Sequence, residues 1–253
     1  MKSPKTAGLC LASMLALGMA LAGTAAAEPL WLLCLEGKEG SPPTKYTTNQ
    51  CTTAAGSNKG KWESVVIGTK SDTVRVVALS LKLEDAKGEL GTAVIVKCAL
   101  VRGGGLIEED QLKIRELEAL FPSKECTAEG TGFFKVCKTS NLEAVEGIHL
   151  PWKVELSASG GTFKGKIQPD GAGEPGWKVK CAGVEDTCES EGAGTLGETS
   201  GSAGIISAGV LLPLGQLRGG GIICLVGGAK QGHVEGFTAV LLSNGNGLSL
   251  HET

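Results

Sequence analysis

Leu150-Pro151-Trp152-Lys153-Val154-Glu155-Leu156 decides how this chain folds, read together with Gly176-Trp177-Lys178-Val179-Lys180-Cys181. Each segment opens on a turn residue and then alternates apolar with charged positions. A period of two puts Trp152, Val154 and Leu156 on one face of a strand and Lys153 and Glu155 on the other. Trp177, Val179 and Cys181 repeat the arrangement. With the glycine-rich span 157–175 between them, the two tryptophan-led strands read as one long hairpin at the centre of a β core. Similar runs at 74–83 and 92–98, bounded by Gly, Asp and Pro, extend the pattern. The expected fold is all-β, an antiparallel sandwich or barrel.

Ahead of that core stands a different kind of segment. Met1-Lys2-Ser3-Pro4-Lys5 is a basic tip, 9–22 is apolar, and Ala25-Ala26-Ala27 offers small residues before Glu28. This is the pattern of a helical signal peptide cleaved after Ala27. The apolar run is too short to span a bilayer comfortably, and Thr24 stands where a lipoprotein needs a thiol. Cleavage removes Lys2 and Lys5 and no acid, so 22 basic residues remain against 27 acidic ones. A net negative chain argues against nucleic acid or an anionic membrane as partner, because both require basic patches. The apolar stretch 204–229 is broken by Pro213, Gln216, Arg218 and Gly219-Gly220-Gly221, and reads as two strands and a turn. The exported chain, 28–253, is expected to be one domain, with a flexible Gly/Ser-rich loop near 190–204. Residues 205–253 are a possible sub-domain.

Nine cysteines minus Cys10 leave eight: Cys34, Cys51, Cys98, Cys126, Cys137, Cys181, Cys188 and Cys224. An even number in an exported chain points to four disulfides, although roughly a hundred connectivities satisfy the count. Short spacing favours Cys34–Cys51, Cys126–Cys137 and Cys181–Cys188, which leaves Cys98–Cys224 as a long staple. Zinc is the rival, but no C-x-x-C occurs and no histidine lies near a cysteine. No metal or cofactor is expected. The 39 glycines lack a G-x-y period and mark turns, bulges and tight strand crossings rather than collagen. Val96-Lys97-Cys98 and Ile222-Ile223-Cys224, each with a glycine run nearby, form a faint internal echo.

One element has two periods at once. In 111–121, Leu112 and Ile114 alternate as a strand, whereas Leu112, Glu116, Ala119 and Leu120 fit a helical stripe behind the acids Glu108-Glu109-Asp110. Its neighbours are strands, so a strand is the reading adopted.

Catalytic and binding motifs are weak. Gly171-Ala-Gly173-Glu-Pro-Gly176 and Gly192-Ala-Gly194-Thr-Leu-Gly197 match a dinucleotide fingerprint in letters, but neither joins a strand to a helix. Gly160 to Lys166 has Ile167 where a P-loop needs Ser or Thr. His149, His233 and His251 sit in no triad pattern and no serine elbow occurs. Glu108-Glu109-Asp110 lacks calcium-loop spacing. Trp31, Trp62, Trp152 and Trp177 suit a core better than a sugar platform.

Gly68-Thr69-Lys70-Ser71-Asp72, Leu81-Lys82-Leu83-Glu84-Asp85, Leu150-Pro151-Trp152, Gly173 to Cys181, Asp186-Thr187-Cys188 and Cys224 with Gly227-Gly228 and Val234-Glu235-Gly236 together carry a resemblance. Most of the chain resembles a family of uncharacterised secreted, cysteine-containing proteins of soil actinobacteria. The resemblance implies export and a disulfide-bearing β fold, and brings no catalytic or binding residue. The expected function is non-enzymatic: an extracellular or cell-surface binding or structural module with an unknown ligand. The alternatives are a carboxylate-based hydrolase acting on polysaccharide, and a protease inhibitor presenting a rigid loop such as 127–136.

Overall fold

In the computed structural model the alternation of residue types becomes an alternation of burial. The structure describes residues 29–37, 45–48, 51, 53–56, 60–66, 72–86, 93–108, 112–191, 195–202, 212–225, 228–242 and 247–252; the segment 1–27, read above as a signal peptide, lies outside them. The strands are β1 (Pro29–Glu36), β2 (Trp62–Val66), β3 (Asp72–Asp85), β4 (Ala93–Ile107), β5 (Lys113–Leu117), β6 (Cys126–Thr131), β7 (Leu142–Ile148) and β8 (Trp152–Ser159). They continue as β9 (Thr162–Pro169), β10 (Gly176–Cys181), β11 (Val184–Glu189), β12 (Gly197–Ser202), β13 (Leu212–Cys224), β14 (Gly228–Leu242) and β15 (Gly247–Glu252). In β8, Trp152, Val154, Leu156 and Ala158 are buried and the residues between them are not. Among the described residues the only helical pieces are short 3₁₀ turns.

Eight strands close an antiparallel barrel in the order β12-β9-β8-β5-β4-β3-β14-β13, with β12 bonded both to β9 and to β13. Eight strands enclose a space that side chains fill. Here a cavity of about 70 Å³ remains, lined by Trp152, Trp177, Leu83, Leu117 and Leu217 among others. Organic ligands occupy roughly 300–1,000 Å³, so the barrel interior is core. Trp31 on β1 is fully buried in that core. Its small sheet, β15-β1-β2, touches the barrel where β1 meets β8 and β15 meets β13 and β14. That sheet also sets Pro29 opposite Glu252.

Three strands, β11-β10-β7, continue the sheet from the end of β13 and deliver Trp177 to the interior. The tryptophan-led strands therefore meet in one core, as their alternation implies, but they are not hairpin partners. β8 pairs with β9 through Gly160-Gly161 (φ 58° and 77°), and β10 pairs with β11 through Ala182-Gly183 (φ 49° and 77°). Paired left-handed residues twist the turn with its strands. The span 157–175 conceals β9, whose inward positions are Phe163, Gly165 and Ile167. Gly165 stands inward because a Cβ there would lie 2.6 Å from the Thr199 hydroxyl.

The stretch read as a flexible loop near 190–204 contains β12, the strand that closes the barrel. Its composition is polar and small because it lies between two strands with little room; inward Thr199 donates to the Gly165 carbonyl at 3.3 Å. Nor is 205–253 a separate sheet, since β13 and β14 are barrel strands and β14 pairs with β3 along most of its length. The triple glycine does not end a strand. β13 runs through it with a bulge, Gly221 at φ +75°, and a Cβ on Gly219 would meet the Leu196 carbonyl at 2.1 Å.

All eight expected cysteines are in disulfides, but only Cys34–Cys51 pairs as spacing suggests. The others are Cys98–Cys126, Cys137–Cys181 and Cys188–Cys224, in place of Cys126–Cys137, Cys181–Cys188 and Cys98–Cys224. Register explains the difference. Cys98 lies directly opposite Cys126, and Cys188 opposite Cys224. In the β10–β11 hairpin Cys188 faces Trp177 while Cys181 faces Val184, so those two sulfurs stand apart. Non-reduced peptide mapping is expected to return these four pairs and no free thiol. Replacing Cys188 and Cys224 together by Ser should cost about 3–4 kcal/mol by the loop-entropy relation for their separation of 36 residues, measured by chemical denaturation. An unchanged midpoint would refute that role.

Candidate functional site

The double period of 111–121 has a structural cause. Ile114 and Leu117 are both buried although three residues apart, and Glu116 between them has φ 52°. The β5–β8 register shifts between these two residues. A bulge inserts one residue and turns Leu117 inward, so alternation interrupted by a bulge imitates a helical stripe.

Asp170 fixes the bulge. One of its oxygens accepts the Glu116 N–H at 2.9 Å and the other accepts Arg115 Nε at 2.9 Å. Its side chain is only 5% exposed. The Arg115 guanidinium is pushed above its already high value by the hydrogen bond to Asp170 and then by Glu108, 3.2 Å from Nη1. Of the acidic triplet 108–110, Glu108 is thus engaged with Arg115 and Lys113, and Glu109 and Asp110 lie outside the described residues.

Beyond the bulge the chain stays against β4. Glu118 N–H donates to the Gly104 carbonyl at 2.9 Å, and Arg102 and Leu120 exchange both main-chain bonds, at 3.0 and 2.6 Å. The close approach needs glycine at 103, where a Cβ would overlap the Glu118 carbonyl at 1.9 Å. The Leu120 side chain is left 65% exposed, and Leu150, preceding a cis Pro151, is also exposed. Two grooves meet at Ala119, Leu120 and Leu150. The larger, about 770 Å³, also carries Arg75, Arg102, Glu116, Glu118 and Pro151. The smaller, about 420 Å³, runs between Phe121 and Ser123 on one side and 143–147 of β7 on the other.

Arg75 lies opposite Gly104 and Arg102 opposite Val77, so the two guanidiniums are diagonal neighbours on the outer face of the barrel. Among the described residues neither guanidinium makes an ion pair, and neither do the carboxylates of Glu116 and Glu118. Charges on β7 and β10 behave differently: Lys178 reaches Glu146 at 3.4 Å and Lys180 reaches Glu143 at 3.2 Å. Glu143 is held below the usual carboxylate range, first by the Lys180 hydrogen bond and then by the Gly183 N–H. The trough thus presents two arginines, two glutamates and two leucines to an incoming group.

The other candidates do not assemble into chemistry. His149 (φ 52°) has Nδ1 2.8 Å from the Glu174 carbonyl and 3.9 Å from Glu189, and His233 points outward from β14. Among the described residues neither is hydrogen-bonded to a serine; the His251 side chain is not among those described. Gly171 to Gly176 is a bend leading into β10, Gly160 belongs to a hairpin turn, and 192–194 lie outside the described residues. Asp186, Cys188 and Cys224 place ligand-type atoms within 4.8 Å of one another, but both sulfurs are spent in a disulfide and offer no thiolate. Trp31, Trp152 and Trp177 are core. Residues 127–131 form β6 and Phe134 is buried in the following turn, so 127–136 is a folded strand and turn whose flanking cysteines bond elsewhere. Compared with family models, with curated proteins and with solved structures, the chain finds no match.

Asp170→Asn keeps the size and removes the charge that holds Arg115 and the Glu116 amide. It should cost about 1.5–3 kcal/mol and speed hydrogen exchange at Glu116; unchanged exchange would refute the clamp. Because the folded value of Glu143 is depressed, its contribution is present above the ordinary glutamate range and lost as pH falls through that lower folded value. Glu143→Gln should therefore loosen the Gly183 amide at neutral pH, and the difference from the parent protein should vanish in strong acid. Exchange NMR across that range reads it directly.

Proposed function

We propose that this protein is an exported, non-enzymatic binding module of the cell exterior, and that the trough around Leu120 is its recognition face. The observation that carries the reading is a contrast. The interior leaves about 70 Å³, while the outer groove beside Leu120 offers about 770 Å³ with free charges and exposed leucines. Leu120 and Leu150 are exposed together where the two grooves meet, and an apolar patch rimmed by polar groups favours an interaction surface. Four disulfides favour an oxidising compartment, in keeping with the leader-like N-terminus and with the resemblance to secreted actinobacterial proteins.

The trough favours polypeptide over a polyanion or a glycan. Two arginines balanced by two glutamates neutralise no run of phosphates or sulfates. No aromatic ring lines either groove apart from the buried Phe121, so neither offers a platform for stacking a sugar. Exposed leucines beside mixed charges match the apolar centre and polar rim of protein interfaces.

The test compares chain 28–253 with its Leu120→Asp variant against extracellular proteins and a glycan array. Leu120 is solvent-facing, so the variant should fold with stability within about 0.5 kcal/mol of the parent. Retention of a protein partner by the parent and its loss by Leu120→Asp are expected. Turnover of a polysaccharide, or glycan binding indifferent to Leu120, would sink the proposal.

A further inference from the structure

We infer that the void inside the barrel is a binding site for a molecule of about two or three non-hydrogen atoms with one oxygen, of the class of ethanol and acetaldehyde. The inference goes beyond the reading of the trough and does not rest on it.

Two unfavourable features coincide on the inner wall of the barrel. The first is the void itself, about 70 Å³. Protein interiors pack as densely as organic crystals, and atoms that line a gap lose their contacts across it. The second is Thr238 on β14, only 6% exposed, whose hydroxyl is buried without a hydrogen-bond partner. A buried hydroxyl left unbonded forfeits the bonds it made to water. Thr238 lies directly opposite Ala78 of β3, and both residues line the void. Valine at 238 would keep the shape without the hydroxyl, and a larger residue at 78 would take up the space. The chain instead sets a small residue beside an unbonded polar one, and a guest lying against both relieves the two penalties together.

Volume and lining define that guest. An engineered cavity of about 150 Å³ in another protein admits benzene or xenon, so about half that space takes two or three non-hydrogen atoms or a single xenon. Leu83, Val101, Leu117, Trp177 and Leu217 surround the void, so most of the guest is apolar. Water fits poorly, because a buried water needs about two to four polar partners and Thr238 brings the one hydroxyl among the described lining residues. The oxygen of a short alcohol or aldehyde accepts from that hydroxyl, and its carbons meet the apolar wall.

Entry has a location. The void reaches the wall where Leu117, Glu118 and Ala119 lie against Arg102 and Gly103. There β5 meets β8 across a shifted register. The chain beyond is held to β4 by the exchange between Arg102 and Leu120 and by the Glu118 N–H on the Gly104 carbonyl. Such a crossing opens locally more readily than the interior of a long ladder. A guest braces it from within, so occupancy should slow amide exchange at Glu118 and Leu120.

The test titrates ethanol and xenon separately into chain 28–253, read by NMR of amides and methyl groups. Both probes should give saturable shifts confined to residues around the void, Ala78, Leu117 and Thr238 among them. Thr238→Val removes the hydroxyl at constant shape. It should weaken ethanol roughly three- to tenfold and leave xenon unchanged, a split that misfolding cannot produce. Ala78→Val narrows the void and should weaken both probes, with a melting curve confirming that it folds. Ethanol shifts that rise linearly and spread over the surface, with no xenon response, would overturn the site. Equal ethanol affinity in parent and Thr238→Val would overturn the oxygen-bearing guest. A water held at Thr238 that ethanol does not displace would overturn the inference as well. The trough is tested by Leu120→Asp and the void by Thr238→Val, so the two readings fail separately.

Discussion

β4 and β13 are longer than the barrel they help to close, and the rest of the molecule hangs on that surplus length. Toward Ile107, β4 carries β5 and the barrel ladder; toward Ala93 it leaves the barrel and pairs with β6. β13 does the same, with β12 at 216–218 and β11 at Cys188 and Glu189. The overhang at β6 is a six-residue ladder, and the one at β11 spans only two residues. On its own each would hold weakly, since an isolated strand pair is marginal in water. A disulfide stands at each: Cys98 to Cys126 and Cys188 to Cys224. The Cys137–Cys181 bond then joins the β6 side to the β10 side, so the outer layer is fastened to the barrel at both ends and to itself.

This layer is what makes the trough. β7 is an edge strand only because β10 and β11 extend the sheet beyond the barrel, and the groove exists because 118–123 crosses in front of that edge. The crossing depends in turn on the bulge at Glu116 and on the glycine at 103 that lets the Glu118 carbonyl approach β4. Asp170, one residue past β9, ties the bulge in β5 to the next strand but one, across β8. The proposed recognition face is assembled from irregularities, each with a named cause, on a frame that is otherwise regular.

What was legible in the sequence follows from that division. Class and core were legible, because β8 and β10 keep strict alternation and the even cysteine count reflects a closed framework. Partner choice was not. Sequence distance favours near cysteines, whereas antiparallel register brings Cys98 to Cys126 and separates Cys181 from Cys188 within one hairpin. Glycine misled in three places: Gly165 hid an inward position of β9, Gly219 looked like a turn where it allows close packing, and the polar small residues of β12 looked like a linker. In each the residue is small because a neighbour occupies the space its side chain would need, a fact that only the folded partner supplies. Cys98 and Cys224, at the centres of the faint echo, lie on the two strands that overrun the barrel, but the glycines after Cys98 stay within β4 and form no turn. The site itself was nearly invisible. Leu120 had a signal, as a member of the helical stripe that competes with alternation in 111–121; Arg75 and Arg102 had none, since nothing in the chain announces that Val77 will stand opposite Arg102.

The pairing of β1 with β15 carries a consequence of a mechanical kind. Because Pro29 lies opposite Glu252, the two ends of the folded region leave it side by side. A load applied between them falls on one cross-strand pair at a time and peels β15 from β1, leaving the barrel and its sulfur-bound outer layer out of the line of force. The same closeness lets the whole module be carried within a loop of a larger protein at little cost to either fold. A domain tethered in this way yields first at its seam and keeps the rest of its fold.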